Sequence, residues 1–320
     1  MTIERIVIGS RGSELALWQA EWVKRKLETS FPRLSVAIEL IRTTGDKILD
    51  SPLSQIGDKG LFTREIEQAL LDRSIDLAVH SLKDLPTRLP EGLAIGAVTQ
   101  REDARDVFIR NPRSSFASIN DVPPNGTIAT GSLRRKSQLL HWRSDLHIID
   151  LRGNLRTRIE KLERSDWDGM ILAYAGVRRL GWQERITEIL EFDRMLPAVG
   201  QGALGLELRI DDDRMRNYLA PLVSEATTIA TGCERSLLRE MEGGCQIPIG
   251  AYGRIEDNVL HLDALVGSID GKRVVRGKIH GAPAEAESLG TSLATTLLES
   301  GGRDILEDIR RGITSNEIES

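Results

Sequence analysis

A short apolar strand, a Gly-Ser turn carrying arginine and then an amphipathic helix occur in this order twice, and no other feature constrains the fold as much. The first copy is Ile6-Val7-Ile8, then Gly9-Ser10-Arg11-Gly12-Ser13, then Leu15, Trp18, Trp22 and Leu27 at roughly helical spacing. The second is Thr127-Ile128-Ala129-Thr130, then Gly131-Ser132-Leu133-Arg134-Arg135, with a helix to about Trp142. Each copy is followed by further alternation. Val36 to Ile41 (strand), Thr63 to Leu71 (helix) and Asp76 to His80 (strand) follow the first. His147 to Leu151 (strand), Thr157 to Glu163 (helix) and Met170 to Ala173 (strand) follow the second. Such alternation predicts βαβ units, a mainly parallel sheet and an α/β class, here as two lobes facing each other. Thr44 to Gly60 has little periodicity and reads as a long loop. The candidate lobe boundaries are Gln100 to Arg105 and Leu196 to Gly205. A third unit starts near Ser224 with a helix to Met241. Strands follow at Val259 to Val266 and Arg273 to Ile279, then a helix from Ala284 to Leu298 headed by Pro283, where a missing N–H costs nothing.

Composition narrows the function classes. The chain has 320 residues, 40% hydrophobic and 28% charged, an ordinary globular balance that can bury a core without staples. No run of about 18 apolar residues suggests a membrane helix, and the first residues lack a signal-peptide layout, so a cytoplasmic protein is expected. Two cysteines exclude a disulfide scaffold. A net charge of −5 and 4% aromatics count against nucleic acid, and no helix-turn-helix, RNP or zinc-finger pattern is present.

Within that acidic chain, residues 131–180 hold 11 Lys or Arg against 6 Asp or Glu. Arginine pairs carboxylate or phosphate through two parallel bonds. Lys161 and Arg164 read as solvated helix faces. Arg134, Arg135, Arg152 and Arg158 together point to a polyanionic ligand. Each Gly-Ser turn aims backbone N–H groups at one spot, as anion sites do, and neither is a P-loop. Ser13 is a plausible N-cap, and one such turn alone is explained by capping. His80-Ser81-Leu82-Lys83-Asp84-Leu85-Pro86 ends a strand with polar side chains at its carboxyl edge, where α/β sheets place active sites. Asp84, with Lys83 and His80 close by, suits acid/base work, although Asp before Pro86 is also ordinary turn chemistry. Cys233 falls on the apolar face of a helix with Ile229, Leu237 and Met241, as a buried small hydrophobe does. Cys245 follows Gly243-Gly244 and reads as a loop residue. Eleven residues separate the thiols and no His is near, so no metal site is expected.

Glu242-Gly243-Gly244-Cys245-Gln246-Ile247-Pro248-Ile249-Gly250 resembles the cofactor-attachment signature of the porphobilinogen deaminase (hydroxymethylbilane synthase) family. The two Gly-Ser turns, the His80–Pro86 segment and Leu196-Pro197-Ala198-Val199-Gly200-Gln201-Gly202-Ala203 agree with it, in order, from about residue 5 to 300. The resemblance implies two periplasmic-binding-protein-like α/β lobes plus a smaller α+β C-terminal domain carrying the cofactor cysteine. Their implied bounds are 1–99 with 203–221, 100–202, and 222–320. It also implies a transferase of tetrapyrrole biosynthesis. Four porphobilinogen molecules lose ammonia and join head to tail on a dipyrromethane cofactor, held by a thioether to Cys245. Asp84 matches the catalytic carboxylate, a buried one that offsets a cationic azafulvene. Cofactor binding falls to Lys83, Asp84, Thr130, Ser132, Arg134, Arg135 and Arg158. Arg11, Ser13, Arg152, Arg179 and Gln201 are implied substrate binders, and Lys59 lies in a lid loop. That loop departs from many relatives at Gln55 and Asp58. A hexapyrrole would carry about twelve negative charges, since carboxyl pKa values sit near 4, which gives the arginine excess a reason. The implied partner is porphobilinogen alone, acting on a monomer, with neither nucleic acid nor membrane. The competing reading, a non-enzymatic two-lobe anion binder of the periplasmic-binding type, has no role for a loop cysteine after Gly-Gly and expects an export signal.

Overall fold

The computed structural model describes residues 4–47, 60–241 and 247–318. Its first elements are β1 (Glu4–Ser10), α1 (Glu14–Ser30), β2 (Leu34–Leu40), α2 (Thr44–Lys47), α3 (Arg64–Leu71), β3 (Leu77–Ser81) and β4 (Leu93–Val98). Next come β5 (Asp106–Arg110), β6 (Thr127–Ala129), α4 (Leu133–Trp142), β7 (His147–Ile149), α5 (Leu155–Arg164), β8 (Gly169–Ala173), α6 (Tyr174–Arg179) and β9 (Glu188–Leu190). The chain then returns to the first sheet as β10 (Leu204–Arg209), followed by α7 (Asp213–Leu219) and α8 (Glu225–Glu240). It ends with β11 (Ile249–Glu256), β12 (Val259–Gly267), β13 (Val274–Gly281), α9 (Ala286–Leu297) and α10 (Arg303–Ile318).

Two five-stranded sheets have one plan. The first runs β2-β1-β3-β10-β4 and the second β7-β6-β8-β5-β9. In each, three parallel strands are joined by an antiparallel one, β10 beside β3 and β5 beside β8. The C-terminal sheet is an antiparallel meander, β11-β12-β13. Two compact units divide the chain at Glu102/Asp103, Val199/Gly200 and Ile229/Ala230. The first sheet lies in one unit, and the second sheet and the C-terminal meander lie in the other. The α/β class holds, with two lobes of shared strand order and a smaller α+β part.

Side-chain periodicity explains the layers. Ile6, Ile8, Leu77, Val79, Leu204 and Leu206 pack on Ala20, Val23 and Leu27 of α1, and on Met215 and Leu219 of α7. The opposite face, Ala78 and Leu93, takes Ile66 and Leu70 of α3. In the second lobe α5 covers one face through Ile159 and Leu162, and α4 covers the other through Leu139. Caps start the helices as the sequence predicts. Ser13 Oγ accepts from Ala16 N at 3.3 Å and Ser132 Oγ from Arg135 N at 3.4 Å. Each satisfies a donor the first turn leaves open. Asn154 caps α5 in the same way, at 2.9 Å from Thr157 N. Gly290 lets α9 cross α8 closely, because a Cβ there would sit 2.3 Å from Cys233 O.

Some readings change. The start of the expected Thr44–Gly60 loop is one helical turn, α2, in which Asp46 and Thr43 bond each other. Strands β4, β5, β9, β10 and β11 and helices α6, α7 and α10 were not expected; a short apolar strand such as β5 shows no period that sets it apart.

Candidate functional site

In the first unit β3 runs into a 3-10 turn at Leu82–Asp84. Leu82 and Leu85 are buried and pin the turn, while Lys83 is half-buried and Asp84 is exposed. The expectation of a buried carboxylate therefore changes: the turn carries Asp84 past the packed edge into solvent. Lys83 Nζ donates to Gln201 Oε1 at 3.3 Å. Gln201 is 1% exposed, and its own carbonyl accepts from Arg101 Nε at 2.8 Å. Gln19 of α1 donates to Ser81 Oγ at 2.9 Å. His80 does not join the polar edge. It is 6% exposed and bonds Glu207 Oε2 at 3.0 Å, so acid/base contact with a ligand is closed to it. The strand's alternation turns His80 inward beneath α3.

Arg11, expected on a ligand carboxylate, is engaged within the protein. Its Nη2 lies 2.5 Å from Asp46 Oδ1 and its guanidinium 4.1 Å from the centre of the Phe62 ring. Burial opposes ionisation of Asp46, but Arg11 and Thr43 overcome it and hold the carboxyl below its usual range. Any ligand carboxylate at Arg11 therefore competes with Asp46. Ser13 is half-buried and serves as the α1 cap.

In the second unit Arg134 and Arg135 of α4 grip one carboxylate at the start of β5. Arg134 Nη1 donates to Asp106 Oδ2 and Arg135 Nη2 to Asp106 Oδ1, each at 2.8 Å, and all three side chains are buried. Arg134 Nη1 also reaches Leu196 O at 2.6 Å, and Arg135 Nη1 reaches Ile171 O at 3.1 Å. Burial alone would raise Asp106, yet the two guanidiniums drive it far below the ordinary range. Both arginines are thus largely committed internally, and the sequence expected them on a ligand. Near these strand ends, two cationic N–H groups keep unused capacity. Arg135 Nε and Arg152 Nη1 are buried with no hydrogen-bond partner among the described residues. Arg152 follows β7, and Thr130, 4% exposed, follows β6. Thr130 Oγ1 accepts from Ser132 N at 3.3 Å. Arg158 Nε donates to Gly153 O at 2.8 Å. Arg179 is half-buried at the end of α6. Thr130, Ser132, Arg134, Arg135, Arg152 and Arg158 thus gather at the carboxyl ends of β6 and β7 and the first turns of α4 and α5, where parallel sheets receive ligands. Lys161 and Arg164 are exposed, as expected.

Cys233 is fully buried. Burial pushes its thiol up to about 12, with Glu234 adding to it, so it stays protonated and unreactive. Cys245 and its Gly-Gly, and Lys59 with Gln55 and Asp58, lie outside the described residues.

Four participants escaped the sequence reading: Asp46, Asp106, Gln19 and Glu207. Two of them left a signal. Asp106 precedes Val107-Phe108-Ile109 and Glu207 sits inside Leu204-Gly205-Leu206-Glu207-Leu208. An ionisable residue in an apolar strand needs a buried partner.

Carboxylate-ready arginine donors, Ser-capped helix starts and an exposed carboxylate on a pinned turn describe an α/β protein that takes a small anionic ligand. Residues 6–217 match the family model "Porphobilinogen deaminase, dipyromethane cofactor binding domain", and residues 228–299 match "Porphobilinogen deaminase, C-terminal domain". The porphobilinogen deaminase of Chloroherpeton thalassium is 53% identical over 309 residues, covering 95% of this chain and 98% of that protein. That of Carboxydothermus hydrogenoformans is 52% identical over 308 residues, covering 96% and 98%. Among solved structures, the L-cystine solute receptor of Neisseria gonorrhoeae is 12% identical with a TM-score of 0.39, covering 73% of this chain and 91% of that one. The chain belongs to the porphobilinogen deaminase family.

Proposed function

We infer that this chain makes hydroxymethylbilane, joining four porphobilinogen molecules head to tail with loss of ammonia, and that Asp84 is its reacting carboxylate. The dipyrromethane group of the family, when bound through Cys245, supplies the primer to which the pyrroles are added. The second unit suits such a group. Arg152 Nη1 and Arg135 Nε are buried cationic donors without a partner among the described residues, and leaving such donors unmet is costly. An acetate or propionate side chain meets them. Arg152 and Arg158 would hold these carboxylates, with Thr130 and Ser132 as hydroxyl donors and Arg134 and Arg135 as a fixed positive field. Arg11, Ser13, Arg179 and Gln201 would bind the incoming substrate. Arg11 does so by exchanging Asp46 for the substrate's carboxylate. Lys59 belongs to the lid segment.

Loss of ammonia leaves a cationic azafulvene on the substrate, and the charge of Asp84 is worth most where a bound pyrrole excludes water from it. Lys83 keeps the turn oriented through Gln201. The observation that carries the reading is the pair of buried, unmet N–H groups of Arg135 and Arg152 at the strand ends of the second unit. The domain division 1–99 with 203–221, 100–202 and 222–320 is supported by β10 returning to the first sheet. We take the working form to be a cytoplasmic monomer with neither nucleic acid nor membrane as partner. The acidic net charge counts against a nucleic-acid partner. No described helix is long and apolar enough to cross a membrane.

Intact mass tests the attachment. The purified protein should exceed its sequence mass by two linked pyrrole units. Cys245→Ser should lose that increment and Cys233→Ser should keep it. An unmodified native mass, or an adduct mapped to Cys233, refutes the assignment.

A further inference from the structure

Three ionisable side chains meet on the α3 face of the first sheet, outside the groups given a role above. His80 of β3 is 6% exposed, Glu207 of β10 is fully buried and Glu67 of α3 is 7% exposed. His80 Nε2 donates to Glu207 Oε2 at 3.0 Å. Oε1 of Glu207 and Oε1 of Glu67 are both buried with no hydrogen-bond partner among the described residues. Burial, reinforced by the negative charge of Glu207, pushes the Glu67 carboxyl up, with the Thr63 hydroxyl and the charges of His80 and Arg64 pulling the other way. The imidazole bonds Glu207, and Glu67 is close enough for its charge to act on both. The other buried charge on this face is Arg209 of β10, whose Nη1 donates to Leu70 O and Ile75 O and whose Nη2 donates to Asp212. Strand β4 over Leu93–Val98 brings no ionisable group.

Apolar side chains would fill this place more cheaply, since a buried ion pair rarely repays its desolvation. Its location gives it a use. His80 lies three residues before Lys83 and four before Asp84. Glu207 lies six residues after Gln201, the acceptor of Lys83. The pair therefore bolts together the two strands that carry the two ends of the Lys83–Gln201 contact. In the β3–β10 register Glu207 stands opposite Ala78 and Gly205 opposite His80, so the bolt crosses the ladder diagonally and resists sliding of one strand along the other.

We propose that His80 and Glu207, with Glu67 beside them, form a positioning cluster that fixes the Lys83–Asp84 turn for turnover by locking β3 to β10. None of the three touches substrate. The proposal rests on the reading of Asp84 as the reacting carboxylate. Because Arg11, Ser13 and the arginines of the second unit are untouched, the cluster acts on kcat more than on KM. Misplacing a reacting group by a fraction of an ångström to an ångström costs on the order of 10–100-fold.

Steady-state kinetics on holoenzyme whose cofactor mass is verified test this with Glu207→Gln, His80→Asn and Asp84→Asn in parallel. Glu207→Gln should lower kcat about tenfold or more while KM stays within about threefold. His80→Asn, whose side chain is too short to make the bond to Glu207, should show the same split between kcat and KM. Wild-type kcat in Glu207→Gln and His80→Asn, with Asp84→Asn inactive, overturns the cluster and leaves the Asp84 reading standing. An active Asp84→Asn instead overturns that reading and the cluster's purpose with it. A tenfold loss in Glu207→Gln that only tracks loss of folded protein by circular dichroism also counts against positioning. Should Glu207→Gln fail to fold, His80→Asn decides alone, and a kcat within about threefold of wild type overturns the proposal.

Discussion

In the first lobe the antiparallel strand β10 buries Glu207 beside His80 and Glu67. In the second lobe the equivalent antiparallel strand, β5, buries Asp106 between Arg134 and Arg135. Each lobe therefore puts a buried acid on the strand that interrupts its parallel run, but the company differs in sign. Fully ionised, the first cluster has one excess negative charge and the second one excess positive charge. One scaffold thus serves two electrostatic tasks. The second lobe holds buried cationic N–H groups with unused capacity. The first holds an exposed carboxylate, Asp84, and its buried excess is negative as well.

Asp106→Asn should break the second half of this comparison most severely. It leaves two buried guanidiniums without their counter-charge, and removing one partner of a buried pair costs about 3–5 kcal/mol. Denaturant unfolding at pH 7 measures it. The sign with pH follows from the lowered carboxyl of Asp106. Its contribution is complete above the ordinary carboxylate range, near 4, and is lost as pH falls toward the depressed value. The gap between wild type and variant should therefore be widest at neutral pH and close in acid. A constant gap would mean that Asn fails for packing reasons alone.

Asp84→Asn should break the first half through chemistry. Asparagine keeps the size of the side chain but not the charge that offsets the azafulvene, so turnover should fall about 10²–10³-fold or more. Folding and cofactor mass should be unchanged, because Asp84 is exposed and no core contact depends on it. Retention of about a tenth of wild-type turnover would remove Asp84 from the central role.

Arg152→Gln sharpens the contrast between lobes. A charge-assisted hydrogen bond contributes about 1.5–3 kcal/mol, so its loss should weaken ligand holding by roughly 10–100-fold. It should appear in KM or in cofactor loading, with kcat at saturation little changed. A loss confined to kcat would place Arg152 with Asp84 rather than with the binding set.

These contrasts were only partly legible in the sequence. The Gly-Ser turns announced two lobes, because Ser13 and Ser132 begin helices by a local hydrogen bond that needs no tertiary partner. The arginine excess was visible as composition. Its division of labour was not, since whether Arg134 meets a ligand or Asp106 depends on a strand 28 residues away. The same holds for Arg11, whose partner Asp46 lies 35 residues on. His80 looked like an acid/base candidate because it stands four residues from Asp84. The alternation of β3 and the diagonal approach of β10 turn it inward, and that placement is a property of the sheet rather than of the segment.

Glu67→Gln is the mildest test of the contrast between the clusters, and its direction is the informative part. Burial and Glu207 raise the Glu67 carboxyl, so the folded state prefers this residue protonated. A raised carboxyl contributes stability that is complete below its unfolded value, near 4, and is lost as pH rises through the folded value. Above that window the ionised Glu67 is a net cost, because its desolvation and its repulsion with Glu207 outweigh the pull of the Thr63 hydroxyl and the attraction of His80 and Arg64. Glutamine preserves the shape and removes the charge. Glu67→Gln should therefore stabilise the protein at neutral and alkaline pH, by a gain on the order of 1 kcal/mol or less. The gain should vanish in acid, where wild type is itself protonated. Thermal midpoints of both proteins across the pH range read this directly. The trend runs opposite to that of Asp106→Asn, which destabilises most at neutral pH. If Glu67→Gln instead destabilised the protein at high pH, the ionised Glu67 would be held by His80 more strongly than it is opposed by burial. The first lobe's cluster would then be a mutually stabilising ion network rather than one with too much acid.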